Sequence, residues 1–157
     1  VVGIDPSGTS KTTSDEAGIV VAGIDAKGEG YVLDDLTGIY TPNQWAYKAI
    51  SAYNEWDADR IIGETNYGGD MIETIIRNLS PDVGYKSVTA SRGKYIRAEP
   101  IAALYERGKV HHVGQFNKLE DEMCLWLPGD KSPNRMDALV WCFTELMTQK
   151  TGNFFVR

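Results

Sequence analysis

Val1-Val2-Gly3-Ile4-Asp5 and Arg60-Ile61-Ile62-Gly63-Glu64 are the two stretches whose reading decides the fold. Each is a short, nearly unbroken apolar run, the pattern of a strand covered on both faces rather than half-exposed to water. Each also closes on a carboxylate. Asp5, before Pro6-Ser7-Gly8, can be read as a turn former, but Glu is a poor turn residue and Glu64 resists that reading. A third acid, Asp137, opens the helix-like stretch Met136-Asp137-Ala138-Leu139-Val140-Trp141, where alone it would be a first-turn acid complementing the helix dipole. Order along the chain gives the three a joint meaning: first strand, a strand entered after a helix, and last helix, all aimed at one sheet edge. Ligands of open α/β sheets collect at the carboxyl ends of strands. Acids at neighbouring strand tips, faced by one from a helix, can hold two hard divalent cations about 3.5–4 Å apart.

Working outward, Pro6-Ser7-Gly8-Thr9-Ser10 turns the chain into a second strand, Ala17 to Ile24, and Asp25 to Gly30 is a hairpin turn. Tyr31-Val32-Leu33 with Ile39-Tyr40 reads as a third strand, so the opening is an antiparallel meander. Thr41-Pro42 is an N-cap with proline at the first helical position, starting a helix that runs to about Trp56. The strand Arg60 to Glu64 follows that helix and is expected parallel to the first. Gly68-Gly69 leads into a helix from Asp70 to Asn78; Tyr85 to Thr89 is a fifth strand; Arg97 to Glu106 is helical. Val110 to Val113 reads as a short edge strand, and Phe116 to Trp126 and Asp137 to Met147 as amphipathic helices around a Pro128-Gly129 break. The expected architecture is α/β, a mixed central sheet of antiparallel meander plus parallel strands, flanked by helices, in one domain over residues 1–150 with a loose tail at 151–157.

At 157 residues and 42% hydrophobic, the chain has room for one well-cored domain. Its net charge of -6 does not advertise nucleic-acid binding as a whole, although acidic catalytic clusters contribute to that charge and a local basic path to phosphates suffices. Cys124 and Cys142 have no metal-ligand spacing and are expected to be buried free thiols of a reducing compartment. No apolar stretch approaches the roughly 20 residues that span a bilayer, and the start in a strand without an initiator Met is that expected of a domain excised from a longer protein.

Asp15, Glu16, Asp70 and Asp130 are reserve ligands; Asp15 and Asp70 are near enough in sequence to reach the ions, and the bland reading of each is a solvated loop acid. Hard oxygen donors without thiolates or paired imidazoles select Mg²⁺ or Mn²⁺, two ions in all, over Zn²⁺. Adjacent His111 and His112 in a strand point to opposite faces and suit edge packing, not one ion. Arg92, Lys94 and Arg97 form the densest basic cluster, at a helix start where phosphates already bind well, while Lys131 and Arg135 flank the approach to Asp137. A solvated helix face is the plainer reading of that cluster. Few aromatics interleave with it, so base reading is not expected.

In combination, VVGIDPSGT (1–9), GETNYGGDM (63–71), ASRGKYIRAEPIAALYERGKVHHVG (90–114) and LPGDKSPNRMDALVWC (127–142) resemble the C-terminal nuclease domain of the large terminase subunit of tailed bacteriophages, from Val1 to about Leu146. The resemblance implies an RNase H-like fold and a divalent-metal carboxylate triad on Asp5, Glu64 and Asp137 that cuts concatemeric double-stranded viral DNA at the start and end of packaging. Some relatives have a further acid directly before the helical one; here that place is Met136, so any fourth ligand comes from elsewhere. The resemblance also implies an N-terminal packaging ATPase that this chain lacks, a portal and a small terminase subunit as partners, and the cytoplasm of an infected bacterium as the place of action.

Three other readings compete. A resolvase, RNase H or transposase-type nuclease would share the triad but prefer another nucleic-acid structure. An actin-like ATPase or sugar-kinase lobe also opens with an acid-closed strand followed by Gly and Thr, but needs further glycine-rich turns that are missing; a P-loop is excluded further by Thr9 standing where its lysine belongs. A non-catalytic portal-docking module could use Tyr40, Trp45, Tyr47, Tyr53 and Trp56, although at helical spacing these aromatics suit a core.

Overall fold

The computed structural model describes residues 1–6, 16–65, 71–90 and 93–148. Strands β1 (Val2–Asp5), β2 (Glu16–Ile24) and β3 (Gly30–Asp35) form the antiparallel meander, and the short β4 (Gly38–Ile39) pairs back onto the start of β2. The expected single third strand is thus two. Leu36 and Thr37 break it, and Thr37 turns its hydroxyl to the Ile19 N–H at 3.0 Å. Helix α1 (Pro42–Glu55) leads to β5 (Ile61–Glu64), α2 (Met71–Leu79) to β6 (Tyr85–Val88), and α3 (Lys94–Glu106) to β7 (Val110–His112). Helices α4 (Asn117–Leu125) and α5 (Asn134–Phe143) follow, and a π-helical turn, Thr144–Thr148, continues α5. The sheet order is β6-β5-β1-β2-β3-β7, with β5 parallel to β1, β6 parallel to β5, and β7 parallel to β3.

Local chemistry accounts for the element ends. Thr41 and Gln44 close a reciprocal capping box on α1, the Gln44 side chain accepting from the Thr41 N–H at 2.9 Å. Helix α3 starts one turn earlier than its sequence pattern indicates, at Lys94, and carries Pro100 inside it on an exposed face. Helix α5 likewise starts before Asp137, which therefore lies in its first turn.

The strands alternate between two cores. Val2, Ile4, Ile19, Val21 and Ile61 pack against α1 and α2, whereas Val20, Ala22 and Val32 pack against α3, α4 and α5. Helix α5 lies hard against the sheet because β1 and β2 present glycines to it. A Cβ on Gly3 would meet the Ala138 carbonyl oxygen at 2.3 Å, and one on Gly18 the Asn134 carbonyl oxygen at 2.0 Å. Cys142 is buried against the Val20 carbonyl as expected, but Cys124 is exposed, because α4 presents that position to solvent. Of the α1 aromatics, Trp45 is core while Tyr47 is 59% exposed.

Arg135, expected among the phosphate contacts, is instead buried beneath α5 at the sheet. Its guanidinium meets Glu16 of β2 (2.8 Å to Oε1), Asp35 of β3 (3.4 Å) and Glu122 of α4 (3.0 Å), so its charge is spent inside the fold. The hydrogen bond from Arg135 holds the Glu16 carboxyl below its ordinary value of 4.5.

Two outcomes follow for stability. Gly18→Ala drives a Cβ into helix backbone that cannot yield, and urea denaturation is expected to show a loss of about 1–3 kcal/mol or more. Arg135→Met leaves three carboxylates without their counter-charge and should cost about 3–5 kcal/mol. Because the pKa of Glu16 is lowered by folding, its contribution is complete above the unfolded value of 4.5 and disappears as pH falls through the folded one. The acid side of the stability profile should therefore be shallower in Arg135→Met than in wild type.

Candidate active site

Alternation along two strands places the first two acids. Gly3 of β1 faces α5, so Asp5, two residues on, faces α5 as well. In β5 a Cβ on Gly63 would touch Ile72 of α2 and Ile4, so Gly63 points away from α5 and Glu64 toward it. The parallel register pairs Ile4 with Gly63, and the next residues along are Asp5 and Glu64. Asp137 precedes Ala138, whose carbonyl lies over Gly3, and so joins them from the helix. Asp5 is 8% exposed and Asp137 3% exposed. The Asp5 carboxyl is pushed up to about 7, chiefly by burial and then by the charges of Asp137 and Glu64, with Lys94 and Arg97 working against them.

Those two cations come from the first turns of α3, three residues apart and hence on one face. The Lys94 ammonium donates to Asp137 Oδ2 and to Ser132 Oγ, the latter at 2.5 Å. Arg97 bridges Glu64 Oε2 at 3.4 Å and Asp137 Oδ1 at 3.8 Å, with its guanidinium 4.5 Å over the Trp141 ring. Sequence reasoning expected both at the DNA; the structure turns both onto the carboxylates. It missed Ser132 and Trp141. Trp141 was within reach of a periodicity argument, since it lies one turn after Asp137 on the same helix face.

The other candidates go elsewhere. Asp15, Asp70 and Arg92 lie outside the described residues, as does the 151–157 tail. Glu16 is taken by Arg135, and Asp130 accepts from the Leu127 N–H at 2.8 Å to close a turn. Lys131 lines a separate groove of about 500 Å³ with Lys118 and Trp126, between α4 and the start of α5. Met136 is buried, its N–H bonded to Glu122 at 3.1 Å. The two histidines diverge as the strand period requires, His111 to Glu29 at 3.1 Å and His112 to Glu120 at 2.9 Å.

Asp5, Glu64 and Asp137 offer only hard oxygens, two of them on nearly buried side chains, so the donor chemistry fits Mg²⁺ or Mn²⁺. Among the described residues, however, no three His, Cys, Asp or Glu side chains close around one point. Two of the three carboxylates are instead held by Lys94 and Arg97.

The fold is similar to that of the large terminase nuclease from thermophilic phage G20c with bound zinc, at TM-score 0.72 and 13% identity over 92% of this chain and 80% of that one. The same nuclease with bound magnesium gives TM-score 0.66 and 14% identity over 92% and 79%. RuvC of Thermus thermophilus gives 0.56 and 13% over 91% and 90%. No curated protein matches the chain in sequence. Residues 2–146 match the family described as the terminase RNaseH-like domain, and the carboxylates at the ends of β1 and β5 opposite α5 lie within that match: the chain belongs to the terminase RNaseH-like domain family.

Proposed function

We propose that this chain is the metal-dependent endonuclease of a viral DNA-packaging terminase, cutting concatemeric double-stranded DNA with little sequence preference. One observation carries the reading: three acids from β1, β5 and α5 converge on one side of the sheet, with Asp5 so buried among like charges that its carboxyl rises to about 7. Perturbed carboxyls of this kind gather at functional sites, and Lys94 and Arg97 offset only part of the cost of burying this one.

Asp5, Glu64 and Asp137 would hold two Mg²⁺ or Mn²⁺ ions. When bound, such ions activate a water and stabilise the charge on the leaving 3′ oxygen. The protein's own work is positional. β1 and β5, locked in parallel register, fix Asp5 and Glu64 relative to one another, and the glycine contacts fix Asp137 over them. The G20c nuclease crystallised with zinc, cobalt and magnesium supports divalent ions as the class. Lys94, Arg97 and Lys131, together with Arg92, would meet the phosphate backbone, contacts that position DNA without reading it. Arg135 drops out of that set, its charge being spent on Glu16, Asp35 and Glu122. The packaging ATPase, portal and small subunit are the proposed partners, in the cytoplasm of an infected bacterium. Among the described residues no helix is long and apolar enough to cross a membrane.

Plasmid digestion with Mn²⁺, Mg²⁺ or EDTA tests this. Metal-dependent cutting is expected, reduced by about 100-fold or more in Asp5→Asn, since even indirect supports of a metal site are worth 10–100-fold. Preference for a four-way junction or an RNA–DNA hybrid over duplex would move the chain to the resolvase or RNase H type, and no cutting by folded protein would favour a docking module.

Asp5 also yields a stability signature. Folding raises its pKa from 3.8 to about 7, so the metal-free native state carries no penalty below 3.8 and the full penalty above about 7. In EDTA, wild type should lose stability between those values and Asp5→Asn should not. At pH 8 the inactive variant should be the more stable by on the order of 2–4 kcal/mol in urea denaturation.

A further inference from the structure

We propose that Lys94 and Arg97 are built-in counter-cations of the carboxylate site, exchanged for metal ions and thereby released toward the phosphates of the substrate, so that metal and DNA binding strengthen one another. This rests on the metal-dependent reading above and explains why the three acids do not form an open cage. The Lys94 ammonium bonds Asp137 directly, and Arg97 spans Glu64 and Asp137 at 3.4 and 3.8 Å.

Charge decides the direction of the exchange. Three formal carboxylates against two side-chain cations leave the site one charge negative, a nearly balanced resting state. Two divalent ions added without displacement would leave it three charges positive in a place almost closed to water, where such an excess is strongly unfavourable. The side-chain cations must then give way or find anions, and a phosphodiester backbone supplies one negative charge per residue.

Both cations have somewhere to go. The Lys94 side chain is 35% exposed and its second partner, Ser132 Oγ, sits at the rim. Arg97 lies against a cavity of about 410 Å³ lined by Lys86, Thr89, Pro100, Trp141 and Thr144. Its Nε is buried without a hydrogen-bond partner, so the present bonding does not use the whole guanidinium. The Trp141 ring at 4.5 Å can hold the arginine stem while the fork turns. Coupling is reciprocal by necessity: if metal frees the cations for phosphate, DNA must raise the affinity for metal by the same factor.

Calcium titration calorimetry on the whole chain, using wild type, Lys94→Gln, Lys94→Arg and Asp137→Asn, tests the exchange without relying on activity. Lys94→Gln removes the competitor and should bind Ca²⁺ about tenfold tighter than wild type. Lys94→Arg keeps the charge and should bind as wild type does. In anisotropy with a short duplex, Ca²⁺ should tighten DNA binding by wild type and do so much less for Lys94→Gln. Equal or weaker Ca²⁺ binding by Lys94→Gln, with wild type binding and Asp137→Asn not, overturns the exchange and leaves the metal site standing. Binding by neither wild type nor Lys94→Gln overturns both.

Discussion

The close seat of α5 on the meander is the constraint on which everything else depends. Helices usually rest on sheets at a distance set by their side chains; here two glycines let helix backbone come down onto strand backbone at Ala138 over Gly3 and at Asn134 over Gly18. Asp137 is positioned by that contact. A helix held away by even one methyl would lift its carboxylate off Asp5 and Glu64. The same descent buries Arg135 between β2, β3 and α4, and its three carboxylate partners fasten the helix start to the sheet. Packing and site geometry are thus one arrangement.

This arrangement is paid for in electrostatics. Asp5 is among the few buried polar side chains of the described residues, and its burial and the nearby carboxylates of Asp137 and Glu64 oppose ionisation more than Lys94 and Arg97 favour it. Natural folds tolerate such a group where function depends on it and the surrounding packing over-determines the backbone. Here β1 is bracketed by β2 and β5, so the strand end cannot relax to relieve its acid.

Much of this was legible in the sequence. Two apolar runs ending in acids gave β1 and β5, the Thr41-Pro42 signal gave the start of α1, and a strand after a helix gave the parallel pairing. What escaped was tertiary. Nothing in a one-dimensional pattern shows that Arg135 faces inward while Lys94 and Arg97 face the acids, because all three are simply basic residues near helix starts. Helix α3 carries only a weak amphipathic pattern in its first turn, where Tyr95 and Ile96 are exposed, so its start at Lys94 was hidden. Cys124 misled for a related reason: apolar neighbours in sequence, Leu125 among them, proved to be exposed.

The two acid–cation groups beneath α5 are chemically unlike, and the difference separates architecture from site. Arg135 is a planar fork that is never deprotonated, and it is 4% exposed with Glu16, Glu122 and Asp35 around it. Removing it leaves several charges stranded, so it behaves as a permanent part of the core. Lys94 is a compact ammonium on a flexible stem, one-third exposed, holding an acid that is itself 3% exposed. An ammonium in that position can swing away at little conformational cost, because its stem already borders solvent. The chain's net charge of -6 argues against DNA binding only if its acids are all outward-facing. Here Glu16, Asp35, Glu122, Asp5, Glu64 and Asp137 are grouped around one helix start with their own cations, so the net charge overstates the negative field outside the fold.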